Sequence, residues 1–171
     1  MKNYICNNTE YFFGNGYIAV PVLIESLPKT LEVNGKILFL KSSFHVSLVC
    51  VKDIVSQYGT AAEQRVIDLL CNFVSENKIS FTNYKDEVRY AVDEETGRET
   101  LIVMSDVSNI DEFFKRLNKE LGFNIEVPPT HITLYTLQPD KGIGLNTSSD
   151  IEEKSTILTE EIPEEIKNLF V

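Results

Sequence analysis

The sequence predicts an α+β fold, and three observations predict it. Runs in which apolar and polar residues alternate with period two, such as FHVSLVCV at 44–51 and THITLYTL at 130–137, read as strands. Two segments carry apolar residues at helical spacing, one beginning near Thr60 and one near Asn109. Turn-forming sequences at Asn34-Gly35 and in DEETG join neighbouring strands as hairpins. At 171 residues, 43% hydrophobic and 25% charged, the chain fits a single globular domain, 1–171, large enough for a real core.

Taken in order, residues 17–24 (YIAVPVLI) form a strand. Pro21 cannot donate to a ladder, which predicts a sheet edge. Asn34-Gly35 turns LEV into KILFLK, and 44–51 form the next strand. Thr60 and Glu63 have the spacing of a capping box. Ala62, Val66, Leu69, Leu70 and Phe73 continue that helix to about Lys78. Residues 86–92 and 99–106 flank DEETG as a second hairpin, and 101–104 (LIVM) are apolar enough for a central strand. Asn109 caps a second helix with Ile110, Phe113, Phe114, Leu117 and Leu121 on one side, and Gly122 stops it. A strand at 130–137, a glycine-bearing loop (KGIGLN), a weak strand in STILTEEI and a short helix opened by Pro163 complete the chain. One histidine-bearing strand in each half hints at a two-lobed arrangement.

Charge and cysteine usage narrow the partners. The net charge is −10, from 16 Lys+Arg against 26 Asp+Glu. Gripping long nucleic acid requires a basic face, so a long duplex is disfavoured as main partner, whereas a small nucleotide needs only a few local donors. Cys6, Cys50 and Cys71 are odd in number and lack CxxC spacing, which indicates neither a disulfide framework nor a zinc site. They read as buried or spare. No run of about 20 apolar residues is present, and the start, MKNYICNNTEYFF, lacks the regions of a signal peptide, so no membrane association and a cytoplasmic location are expected.

The chemistry-bearing pattern is the chain's two histidines. Strand alternation puts His45 and Ser47 on one face, with Phe44, Val46 and Leu48 on the other. It likewise puts His131, Thr133 and Tyr135 together, opposite Ile132 and Leu134. Phosphodiester hydrolysis needs one proton removed from the nucleophile and one given to the leaving oxygen. Imidazole titrates near neutrality and serves either role, with no metal or other cofactor required. The hydroxyls of Ser47 and Thr133 suit the non-bridging phosphate oxygens, where charge gathers. With 24 Ser+Thr in the chain, two histidines would both be followed at +2 by a hydroxyl roughly 2% of the time by chance.

H-V-S at 45–47 and H-I-T-L at 131–134 resemble the paired signatures of the two-histidine phosphoesterase superfamily, with serine at 47 where threonine is commoner. The resemblance spans roughly residues 17–158. It implies a bilobal α+β fold, with two antiparallel sheets lining a central cleft and helices outside. It also implies metal-independent phosphodiesterase action on a 2′,3′-cyclic phosphate or on a cyclic or 2′,5′-linked signalling oligonucleotide. By carry-over His45 and His131 are catalytic, and Ser47 and Thr133 bind substrate phosphate. The alternative is a non-catalytic nucleotide-binding module that keeps the cleft.

Weaker candidates stand beside plainer readings. Tyr135 either contacts phosphate or base, or packs at the cleft edge. The 142–144 loop either offers backbone amides or is a simple turn. Tyr11, Phe12, Phe13 and Tyr17 either stack on bases or pack in the core. Lys41, Arg89 and Lys141 are phosphate partners or solvated charges. The pairs Glu152-Glu153, Glu160-Glu161 and Glu164-Glu165 read as a solvated acidic face. Oligomeric state is not encoded in any of these features.

Overall fold

The computed structural model describes residues 2–6, 9–159 and 162–170. The chain begins with strands β1 (Lys2–Cys6), β2 (Thr9–Gly14) and β3 (Tyr17–Val22). Asn15 and Gly16 turn β2 into β3 with φ of 53° and 79°, the left-handed pair that a two-residue hairpin turn needs. Asn34 and Gly35, at 52° and 71°, do the same between β4 (Thr30–Val33) and β5 (Lys36–Leu40), as the sequence predicts. β6 (Phe44–Cys50) runs into helices α1 (Val51–Tyr58) and α2 (Ala61–Val74). The expected second hairpin is β7 (Phe81–Asp93) and β8 (Arg98–Val107), followed by α3 (Ile110–Leu121) and β9 (His131–Thr136). Helix α4 (Ser148–Lys154), β10 (Ser155–Ile157), α5 (Glu164–Lys167) and a 3-10 turn (Asn168–Phe170) close the chain.

The described strands form one continuous antiparallel sheet in the order β1-β2-β3-β6-β9-β8-β7-β10, with β5 joining β9 and β4 joining β5. The halves meet where β6 pairs with β9 at Val46 and Ile132. The two sheets expected from sequence are therefore continuous across this pair. β8 is central as expected, with Leu101, Ile102 and Val103 fully buried. α2 and α3 supply Val66, Leu70, Phe73, Phe113 and Leu117 to one large core with Val46, Leu48, Ile132 and Leu134. Phe73 meets Phe113 edge-on at 5.5 Å between ring centres. A second, small core joins Ile102 and Met104 to Ile143, Leu145 and Ile151.

Several expectations give way. β3 is not an edge strand, because it pairs with both β2 and β6; the β2 ladder stops at Ala19, two residues before Pro21. Thr60 makes no capping hydrogen bond, because it already has helical angles in the tight link from α1. α2 also ends at Val74, short of Lys78. Asn109 makes no side-chain cap; its amide donates to the Lys78 carbonyl at 2.8 Å instead. A true capping box forms at Thr147 and Asp150, opening α4. Cys6 and Cys71, read as unpaired, form a disulfide across 65 residues that ties β1 to α2. No helix among the described residues is long and apolar enough to cross a membrane.

Candidate active site

β6 and β9 carry the histidines side by side. Val46 faces Ile132 across the antiparallel ladder, and both are fully buried in the main core. Continuing that register by one residue each way sets His45 across from Thr133 and Ser47 across from His131, all on the opposite face. The four side chains are half-buried and line one cleft of about 730 Å³. Among the described residues neither the Ser47 nor the Thr133 hydroxyl has a hydrogen-bond partner, which leaves both open to a ligand.

The walls come from elsewhere in the chain. α1 contributes Lys52, Asp53 and Gln57, and the segment before β9 contributes Asn124, Glu126 and Pro129. The 140–147 segment crosses the face as a third wall. It is held there by the second core, because Ile102 pairs with Thr133 and Met104 with His131 on that same face. Gly144 comes close to Tyr17: a Cβ there would lie 3.2 Å from the tyrosine hydroxyl, a tight contact. The glycine loop thus lines the cleft rather than serving as a remote turn.

The imidazoles have unlike surroundings. His131 Nδ1 lies 2.9 Å from the Pro129 carbonyl. A carbonyl only accepts, so Nδ1 carries the proton and Nε2 keeps its lone pair. Burial holds the His131 pKa below the ordinary histidine value, and the Pro129 hydrogen bond partly opposes this. Burial also lowers His45, and the positive charges of Lys41 and His131 lower it further. Both imidazoles therefore favour the neutral form more than a free histidine does.

Tyr135 departs from the expected face. Thr133 pairs with Ile102, yet Tyr135 pairs with the adjacent Leu101, so β9 holds an extra residue at this point. This bulge breaks the alternation. Leu134 and Tyr135 both turn into the main core, and the tyrosine hydroxyl donates to the Pro28 carbonyl at 2.9 Å. Burial pushes its pKa up to about 12.

The remaining candidates divide. Lys41 and Lys141 line the cleft, whereas Arg89 is engaged by Ser155 at 2.7 Å and Glu87 at 2.6 Å on the far side. Tyr11 is core, its hydroxyl donating to the Ile79 carbonyl at 3.0 Å, and Phe13 packs against that core. Tyr17 lines the cleft, with the Lys52 ammonium 4.9 Å from its ring centre. Cys50 also lines it, but burial and Asp53 push its thiol pKa up to about 11, so it stays protonated and unreactive. Glu152 and Glu153 flank a separate depression, and Glu164 and Glu165 lie in α5. Glu160 and Glu161 lie outside the described residues.

Lys52, Asp53, Arg98 and Asn146 also line the cleft, although no sequence motif marks them. Lys52 and Asp53 follow the first motif strand directly, but their direction depends on α1, whose eight residues have no side-chain cap to mark their start. Arg98 is distant in sequence from either motif. The charge balance of the cleft follows from these additions. Four cations (Lys41, Lys52, Arg98, Lys141) and three carboxylates (Asp53, Glu126, Asp140) line it, a local balance of +1 in a chain of net −10. The carboxylates are also occupied. Asp53 accepts from Asn146 at 2.9 Å, Glu126 from the Ser148 N–H at 2.7 Å, and Asp140 from Ser42. No family model matches the chain, and no curated protein or solved structure matches it either.

Proposed function

We propose that the chain is a metal-independent phosphodiesterase, of the two-histidine type that the paired motifs resemble, acting on a small nucleotide. The bilobal description fits this reading, the lobes being the half-sheets that meet at Val46 and Ile132. The single observation that carries it is the square of His45, Thr133, Ser47 and His131 on one sheet face, inside a cleft whose charge is the reverse of the whole molecule's. An anion centred on that square meets two hydroxyl donors and two imidazoles.

The surroundings favour one division of roles. Lys41 opposes positive charge on His45, which favours the neutral imidazole that a base requires. The Pro129 carbonyl supports positive charge on His131. A bound phosphate raises the proton affinity of both, and His131 takes up the proton at Nε2. His45 then accepts a proton from the attacking water while His131 donates one to the leaving oxygen. Ser47 and Thr133 hydrogen-bond the non-bridging oxygens as charge builds.

The test is hydrolysis of a panel in EDTA: nucleoside 2′,3′-cyclic phosphates, 2′,5′-linked oligonucleotides and cyclic dinucleotides. Turnover of at least one substrate in EDTA is expected. Turnover that appears only with added divalent metal, or binding with no turnover of any member, contradicts the proposal; the second outcome identifies a nucleotide-binding module.

A further inference from the structure

The end of the cleft beside His45 carries more positive charge than one phosphodiester calls for. Segment 140–142 closes this end. The Lys41 ammonium donates to the Asp140 carbonyl at 3.4 Å, and Arg98 Nη1 donates to the Gly142 carbonyl at 3.3 Å. Lys141 stands between them on the same segment, and all three residues line the cleft. The nearby carboxylate is committed: Asp140 Oδ1 accepts from the N–H and the hydroxyl of Ser42, both at 2.9 Å, and lies 3.8 Å from Lys41. The Lys41 side chain is only 13% exposed. Asp140, its one ion-pair partner among the described residues, is shared with Ser42 and stands beyond hydrogen-bond distance, so the ammonium keeps donor capacity for a ligand anion. Among the described residues Arg98 and Lys141 take part in no ion pair. Ile143 in the second core holds the segment in position, so the cations are presented on a fixed support.

The opposite end differs. There Asp53, Gln57 and Asn146 mix with Lys52, which lies over the Tyr17 ring, and a carboxylate at that end disfavours a further anion.

We propose that Lys41, Arg98 and Lys141 form a second phosphate subsite, so that the ligand of this cleft is a nucleotide carrying two phosphate groups, one between the histidines and one here. The proposal rests on the nucleotide reading of the site. A second phosphate can be the next diester of an oligonucleotide or a terminal phosphate on a mononucleotide. The recognition chemistry is the same: cationic N–H donors meeting phosphate oxygens.

Equilibrium binding to the full chain in EDTA tests it. The probes are adenosine 2′-phosphate, adenosine 2′,5′-bisphosphate and a 2′,5′-linked adenosine trimer whose two linkages are phosphorothioates. At least one two-phosphate probe is expected to bind about tenfold tighter than the monophosphate or better. In Arg98→Gln/Lys141→Gln that ratio falls towards one, with the far-ultraviolet circular dichroism unchanged. Lys141→Gln alone, on an exposed loop position, gives a partial fall and covers the case in which the double variant does not fold. A preference for the trimer alone identifies the diester source, and one for the bisphosphate alone identifies the terminal source. A wild-type ratio near one, an unchanged ratio in the variants, or no binding of any probe overturns the subsite. A ratio that falls in the variants, in a protein that hydrolyses no diester, keeps the subsite and rejects the phosphodiesterase. Hydrolysis without the ratio does the reverse.

Discussion

His45 and His131 face different neighbours, and that difference has kinetic consequences. If His131 is the acid, its removal matters little when the leaving group needs no proton. His131→Ala is expected to lose about a hundredfold or more on a natural diester yet retain most activity on a nitrophenyl nucleotide ester, while His45→Ala loses both. Steady-state rates on the two substrates check this. The lowered pKa values set the pH profile. The base must be neutral and the acid protonated, so kcat/KM peaks below pH 6.5 and falls above it as His131 loses its proton. Stability runs the other way. The unfolded chain binds protons that the half-buried imidazoles resist, so stability is highest above pH 6.5 and declines as pH falls through the unfolded-state value. At this scale the sequence was a good guide for His45, Ser47, His131 and Thr133, whose direction depends only on strand alternation. It misplaced Tyr135, because a bulge is fixed by pairing with β8 rather than by β9 itself. Tyr135→Phe is accordingly a stability variant, expected to cost about 1 kcal/mol in denaturant unfolding through loss of the Pro28 hydrogen bond.

At the scale of elements, the cleft depends on how connecting segments are anchored. The Asn15-Gly16 turn touches the start of α1: the Lys52 N–H donates to the Gly16 carbonyl at 3.0 Å. Gly16 has φ +79°, and a Cβ there would meet the Lys52 Cβ at 2.7 Å. Gly16→Ala is therefore expected to cost at least about 1–2 kcal/mol and to move Lys52 and α1 away from Tyr17, seen as a lower denaturation midpoint. Hairpins with a strong turn signal, such as Asn34-Gly35, and helices with an extended apolar face, such as α2 and α3, were legible from local residues. α1 and α4, of eight and seven residues, are too short to show a helical periodicity. α1 is short and lacks a cap, and its helical form follows from packing Val51 and Ile54 into the core. α4 does carry a local signal, the Thr147–Asp150 capping box, but its seven residues bury only Ile151, too little for an apolar periodicity.

For the whole molecule, the fold class was legible because it follows from the sum of strand and helix patterns. The continuous sheet and the Cys6–Cys71 link were not, because both join residues far apart in sequence and no local pattern records such contacts. A link across 65 residues restricts the unfolded chain. Reduction, or Cys71→Ser in the oxidised protein, is expected to lower stability by about 2–4 kcal/mol, checked by thermal unfolding with and without dithiothreitol. The assembled sheet brings one half's histidine against the other half's hydroxyl, so the proposed catalytic unit requires both halves in place. The most direct test of that pairing is single-turnover hydrolysis, in EDTA, of the best natural diester by His45→Ala, His131→Ala and the double variant. If the histidines act as one unit, each single variant loses at least about a hundredfold and the double variant loses little more than either. Wild-type turnover by either single variant would contradict it.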